Sequence, residues 1–228
     1  MLMKKINKAI CIVLMLLTIK EGYPQAMLIK NVENNVERLN VVDKKIKEKT
    51  KLINIDVIIP QITGLLNKER EKVINNEILE YTNMWISEGK KSSEDMEPTI
   101  PYEYNAKYNI TNEDNILSFY IDYYQFNGGA HGITNRETYN INSENGEYIK
   151  LEDLFVKNFD YISYINEEIK KEINKNPDNY FKDAFKGISI DQQFYIQNSK
   201  LVIHFPYYEI APYAAGMPEF IIELPINM

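Results

Sequence analysis

Two runs near the middle of the chain alternate apolar and polar residues without a break. In "YEYNAKYNI", Tyr102, Tyr104, Ala106, Tyr108 and Ile110 alternate with Glu103, Asn105, Lys107 and Asn109. In "NILSFYIDYYQF", Leu117, Phe119, Ile121 and Tyr123 share one parity. A period of two belongs to a β-strand, whose successive side chains point to opposite faces. The intervening "NED" has turn composition, so the two runs predict neighbouring strands that share one buried face. A third run, "ITNRETYNI", follows the glycines of "NGGAHG", and Asn145-Gly146 in "NSENGEY" adds a hairpin-turn signal.

A sheet with one apolar face needs a cover. Upstream, "LINIDVIIPQI" (residues 52–62) offers another strand, with Ile53, Ile55, Val57 and Ile59 on one face and Pro60 marking an edge or end. The cover is an amphipathic helix over about 65–86, with Leu66, Val73, Ile74, Ile78, Tyr81 and Trp85 on its apolar side. The composition of "SEGKKSSEDMEP" predicts a loop after it.

The second half repeats the arrangement. "LEDLF" leads into a helix over about 158–174 carrying Phe159, Ile162, Ile165, Ile169 and Ile173, and "NPDN" ends it. A short helix is expected over 180–185. "QFYIQNSKLVIHF" reads as a hairpin, and a Pro/Gly loop precedes a last strand with Phe220, Ile222 and Leu224 on one face. No fixed-period repeat is present. The expected fold is α+β, two linked subdomains, each with antiparallel strands packed against one or two helices.

At the N-terminus, Lys4, Lys5 and Lys8 precede the apolar run "AICIVLMLLTI", which polar residues then end. That is the pattern of a secretory signal peptide. The run would rise only about 16 Å as a helix, against a hydrocarbon core of about 30 Å. Cleavage after Ala26 leaves a mature chain with no transmembrane span; retention leaves a tether. The one cysteine, Cys11, lies inside the run, so the remainder holds no disulfide, thiol nucleophile or thiolate site. The expected organisation is a signal peptide over 1–26, a polar tether or short helix over 27–50, and α+β domains over 51–146 and 147–228. The expected location is extracytoplasmic, secreted or tethered at the cell surface.

A net charge of −7 argues against nucleic acid, whose binders displace phosphate counterions with a basic surface. No nucleophile elbow, zinc-protease helix or phosphate-binding glycine loop is present. His131, in "NGGAHG", would need an orienting carboxylate and a nucleophile or metal to catalyse. The geometric reading is simpler: Gly128 and Gly129 turn the chain through positive φ, and Gly132 permits close backbone approach. His131 is then a hydrogen-bonding plug or a surface residue. His204 lies on the opposite strand face from Leu201, Ile203 and Phe205 and is expected to be a hydrogen-bonded structural histidine. No catalytic residue, metal site or cofactor is assigned. A metal held by both histidines with Asp122 or Glu209, and acid/base work by Glu209 with Glu219, are the weaker alternatives.

"FPYYEIAPYAAGMPEF" is the densest candidate for function. Three prolines stiffen an aromatic loop and limit the entropy lost on contact. Tyr207, Tyr208 and Tyr213, with Glu209 and Pro212, are the candidate binding residues. The alternative is a core-closing loop whose prolines simply end strands.

Five stretches in this order resemble a known pair of bacterial extracytoplasmic domains: "IPQITG", "FNGGAHG", "LEDLF", "FYIQNSKLVIHF" and "YEIAPYAAGMPEF". The first is the N-terminal domain of certain peptidoglycan deacetylases. The second follows it in the lysozyme-sensing anti-sigma factors. The resemblance spans about residues 52–226 and implies an α+β tandem exposed at the cell surface. In the anti-sigma factors it implies lysozyme binding that permits regulated proteolysis. Eight residues precede the apolar run here, too few for a sigma-binding segment, and the metal-binding motifs of the deacetylase catalytic domain are absent. The expected function is therefore a non-enzymatic binding or sensing module of the envelope, with lysozyme or another wall-active protein as partner. A peptidoglycan-binding accessory domain is the alternative, and a carboxylate-dependent hydrolase the weaker one.

Overall fold

Two helices and two sheets make up the computed structural model, which describes residues 39–225. The signal peptide expected over 1–26 lies outside the described residues. Strands β1 (Asn40–Lys49), β2 (Ile53–Thr63), β3 (Tyr102–Glu113), β4 (Ile116–Phe126) and β5 (Ile133–Asn142) form one sheet in that order. Strands β6 (Phe194–Gln197), β7 (Lys200–His204) and β8 (Glu219–Ile222) form the second. Helix α1 (Lys68–Met96) joins β2 to β3, and α2 (Tyr161–Lys175) precedes β6. The architecture is α+β, with a separate core for each half.

The alternating runs become strands in the predicted parity. Ile53, Ile55, Val57, Tyr102, Tyr104, Ala106, Leu117, Phe119, Ile121 and Tyr123 are buried on one face, where Ile74, Ile78 and Trp85 of α1 cover them. The remaining face of β4 and β5 carries Ser118, Tyr120, Asp122, Arg136, Thr138 and Asn140.

Several elements differ from expectation, each for a physical reason. Residues 40–49, expected within a polar tether, form the edge strand β1, with Ile46 opposite Val57. Lys45, Lys47 and Lys49 are exposed, which guards an edge against further strand pairing and also hides the alternation. β2 and β3 pair in parallel, not antiparallel, because α1 is the crossover between them. Their pairing ends at Val57 opposite Ala106, so Pro60 sits where β2 has β1 alone as partner. α1 runs through the segment expected to be a loop. Its Gly89, a loop signal in sequence, lies against the buried ring of Tyr104; a Cβ there would sit 2.4 Å from ring carbons. Leu66 and Val73, placed on the apolar side, are 70% and 38% exposed; Leu66 precedes the N-cap Asn67, whose side chain accepts from Arg70 N. Residues 180–185 form no helix and are tied down by Phe181 N donating to Ile210 O at 2.9 Å.

In the second half, Ile165 and Ile169 of α2 pack on Leu201, Ile203, Phe205, Phe220 and Ile222. Asn198 and Ser199, both at positive φ (51° and 61°), make the tight β6–β7 turn. The free edge of β6 meets the polar face of β4 and β5. Ile196 N donates to Ser118 Oγ at 2.8 Å, and Asn140 Nδ2 donates to Phe194 O at 2.8 Å. Ser118 Oγ donates in turn to Asn140 Oδ1 at 2.7 Å. Side chains thus satisfy backbone groups that another strand would otherwise pair.

Candidate functional site

The loop between β4 and β5 and the long loop between β7 and β8 come together. The first turns with Gly128 at φ +78°, a conformation glycine adopts without steric cost. Gly129 takes ordinary backbone angles, so one glycine of the pair makes the turn. At Gly132 the backbone passes over Tyr124 so closely that a Cβ would lie 2.4 Å from its ring. The second loop carries Tyr207, Tyr208 and, in a single 3-10 turn, Tyr213.

Tyr213 is the hub. Its ring stacks on the His131 imidazole at 3.9 Å and on Tyr207 at 4.8 Å, with Tyr208 at 5.8 Å. Its hydroxyl donates to Gly132 O at 2.8 Å, binding one loop to the other. His131 Nδ1 lies 3.0 Å from Gly132 O, a pure acceptor, which places the ring proton on Nδ1. Nε2 lies 3.2 Å from the Tyr208 hydroxyl. Tyr208 itself stands at φ +67°, an uncommon conformation for an aromatic residue, with 48% of its surface exposed.

The five candidate binding residues therefore divide. Tyr207 and Tyr213 are half-buried and hold the stack, whereas Tyr208, Glu209 and Pro212 are exposed around it. Burial pushes the Tyr207 hydroxyl and the Glu209 carboxyl above their usual ranges. His131 belongs to this surface and has tyrosine and backbone partners, not a carboxylate. Among the described residues, no three His, Cys, Asp or Glu side chains come together to hold a metal.

On the same sheet face lies a charged centre that the sequence reading missed. Arg136 Nε donates to Asp122 Oδ1 at 2.7 Å and Nη2 to Oδ2 at 2.8 Å, and Nη1 bonds Glu219 of β8. The guanidinium lies 3.6 Å from the Tyr120 ring centroid and 6.0 Å from that of Tyr195. Asp122 and Glu219 are thus engaged by Arg136, which is a correction to their roles as metal-site or acid/base candidates. His204 is also corrected. It is 2% exposed, and neither ring nitrogen has a hydrogen-bond partner, so it is not the hydrogen-bonded histidine expected. Burial first, and then the Arg136 charge, lower its pKa to about 4 and hold it neutral.

A signal for the charged centre was present in composition. Only Arg38, Arg70 and Arg136 are arginine among the 26 basic residues. Where lysine is the default cation, arginine marks a position that uses its planar fork.

Two family models match segments of the chain. Residues 46–134 match the family described as "Deacetylase PdaC", and residues 152–224 match "Protein of unknown function (DUF3298)". Over 191 residues the chain is 32% identical to the anti-sigma-V factor RsiV of Bacillus subtilis (strain 168). That alignment covers 78% of this chain and 65% of the relative, slightly less than two thirds of its length. Two crystal structures share the fold. A DUF3298-family protein of Bacteroides fragilis superposes with TM-score 0.62 at 17% identity, covering 81% of this chain and 90% of its own. A DUF3298-family protein of Pseudomonas aeruginosa PAO1 gives TM-score 0.58 at 15% identity, covering 82% and 92%. His131 falls in the first matched segment and Tyr207–Tyr213 in the second, so the stacked surface is assembled from both. The chain thus carries a segment similar to the PdaC deacetylase family followed by a segment similar to DUF3298.

Proposed function

We propose that this chain is the extracytoplasmic sensing module of an anti-sigma-type envelope protein, that it is not an enzyme, and that it binds lysozyme or another wall-active protein. The observation that carries the reading is the composite surface of His131, Tyr208 and Tyr213, built by two loops that no single domain supplies. Rigid aromatic rings flanked by proline lose little entropy on contact and form the usual centre of a protein interface. The relationship to an anti-sigma factor supports a sensing role. The export-type N-terminus read from the sequence supports the extracytoplasmic location.

The enzymatic alternative finds little in the candidate groups: His131 holds a tyrosine and a backbone carbonyl, and Glu219 is engaged by Arg136. The test is calorimetric titration of the purified protein with hen egg-white lysozyme. Saturable binding supports the reading. Heat indistinguishable from dilution at tens of micromolar removes lysozyme as the partner. Release of soluble fragments from purified cell wall by the protein alone would overturn the non-enzymatic assignment.

A further inference from the structure

A second site lies on the polar face of the first sheet, between β5, the 148–152 segment and the residues leading into β6. It is a cavity of about 380 Å³, at the small end of the roughly 300–1,000 Å³ typical of ligand sites. Its walls include Thr138, Tyr148, Tyr161, Ile190, Gln192 and Gln193.

Two neighbouring amide side chains give this cavity a defined polarity. Gln193 Oε1 accepts from Thr138 N at 3.0 Å and also from the Thr138 hydroxyl. A backbone N–H can only donate, so the oxygen of Gln193 must face it, and Nε2 is presented as a donor. Gln192 Nε2 donates to His204 O at 3.0 Å. A backbone carbonyl can only accept, so the free end of Gln192 is Oε1, an acceptor. Each amide is anchored at one end by the main chain, and its other end has no hydrogen-bond partner among the described residues. A donor and an acceptor on consecutive residues of one cavity wall suit ring hydroxyls, each of which both gives and takes a hydrogen bond.

The remaining walls suit the same ligand. Tyr148 is 38% exposed, and its ring is held by a hydroxyl bond to Glu77 and by Arg70 over the ring at 5.6 Å. With Tyr161 and the 71% exposed Ile190 it supplies apolar surface for the C–H face of a sugar. Lys150 is paired with Glu152 at 3.7 Å and Asp191 also lines the wall, so the cavity carries no excess positive charge that would favour a phosphate or carboxylate. We propose that this cavity is a saccharide-binding site that takes a neutral pyranose unit, with Gln193 as hydroxyl donor and Gln192 as hydroxyl acceptor. It is separate from the aromatic surface proposed to engage protein, and neither reading depends on the other.

The test is titration of ¹⁵N-labelled protein with tri-N-acetylchitotriose, together with co-sedimentation on purified peptidoglycan. The proposal expects saturable shifts of the Gln192 and Gln193 side-chain amides and of backbone amides around 138 and 149–152. Gln193→Glu keeps an oxygen on Thr138 N–H but replaces the free donor with an acceptor. It should weaken binding at least about tenfold while the unfolding midpoint is unchanged, a split that a purely structural role would not give. Shifts with co-sedimentation identify wall glycan as the source; shifts without it identify a soluble saccharide. Absence of saturable shifts at these residues up to roughly 20 mM sugar overturns the proposal, even if the protein sediments with cell wall through another surface. Undiminished binding by Gln193→Glu overturns it equally.

Discussion

Asp122 and Arg136 stand directly opposite each other across β4 and β5 and form a two-bond carboxylate–guanidinium pair whose third arm reaches Glu219 on the other sheet. The Arg136 side chain is 8% exposed, with the Tyr120 ring at 3.6 Å. One side chain therefore links the halves that each supply a loop to the aromatic surface.

Removing Arg136 leaves Asp122 with an uncompensated charge. Arg136→Ala is expected to cost about 3 kcal/mol, the lower end for a buried pair because Asp122 is 31% exposed. Arg136→Lys should recover only part of this, since a single ammonium cannot make the two parallel bonds or lie flat on Tyr120. Urea unfolding of the three proteins checks the order wild type, lysine, alanine. Equal stability of the lysine variant and wild type would show that charge alone is used.

His204 predicts an acid-sensitive fold. Its native pKa is lowered from 6.5 to about 4, so the unfolded chain takes up a proton at higher pH than the native one. Stability therefore falls as pH drops from about 6.5 to about 4, by about 2 kcal/mol between pH 7 and pH 5. Glu137, whose carboxyl is raised by burial, acts in the opposite sense near its own range and is common to wild type and variant. His204→Leu removes two unpartnered nitrogens at similar volume and should flatten the slope. Urea midpoints at pH 7 and pH 5 for both proteins decide it.

Gly89 reverses a usual rule. In an exposed helix, glycine to alanine gains about 1 kcal/mol. Here the added Cβ would meet the buried Tyr104 ring, itself packed on Trp85 at 4.6 Å. Gly89→Ala is expected to destabilise by about 1–3 kcal/mol. A raised thermal midpoint would contradict this placement of α1.

The two loops should act as one surface. Tyr213→Ala removes the hub of the stack and should weaken partner binding by about 2 kcal/mol, the scale of an interface hot spot. His131→Ala alone should cost less. The double variant should lose less than the sum, because each residue works through contact with the other. Strict additivity in a titration series would show two independent contacts.

The strands were legible wherever one face is buried, since alternation from Tyr102 to Tyr123 leaves no other reading. β1 was not, because an edge strand of lysines buries too little to show a pattern. The last turns of α1 were missed for a different reason: Gly89 and its serine neighbours carry loop composition, while the cause of the glycine, Tyr104, is distant in sequence. Both site loops were visible as separate motifs, yet their meeting was not, since nothing local says that Tyr213 will stack on His131. Arg136 could have been suspected from its rarity, but its partner on β8 is set by how the halves dock. His204 was expected to find a hydrogen bond; strand parity gives its face and not what lies opposite.

The most direct test of the proposed function is calorimetric titration of hen egg-white lysozyme into the wild-type protein and into Tyr213→Ala, with circular dichroism confirming that both are folded. Saturable binding by wild type and an affinity lower by about 30-fold in the variant are expected. Equal affinities would place the contact away from the stacked surface, and no binding by folded wild type would contradict lysozyme as the partner.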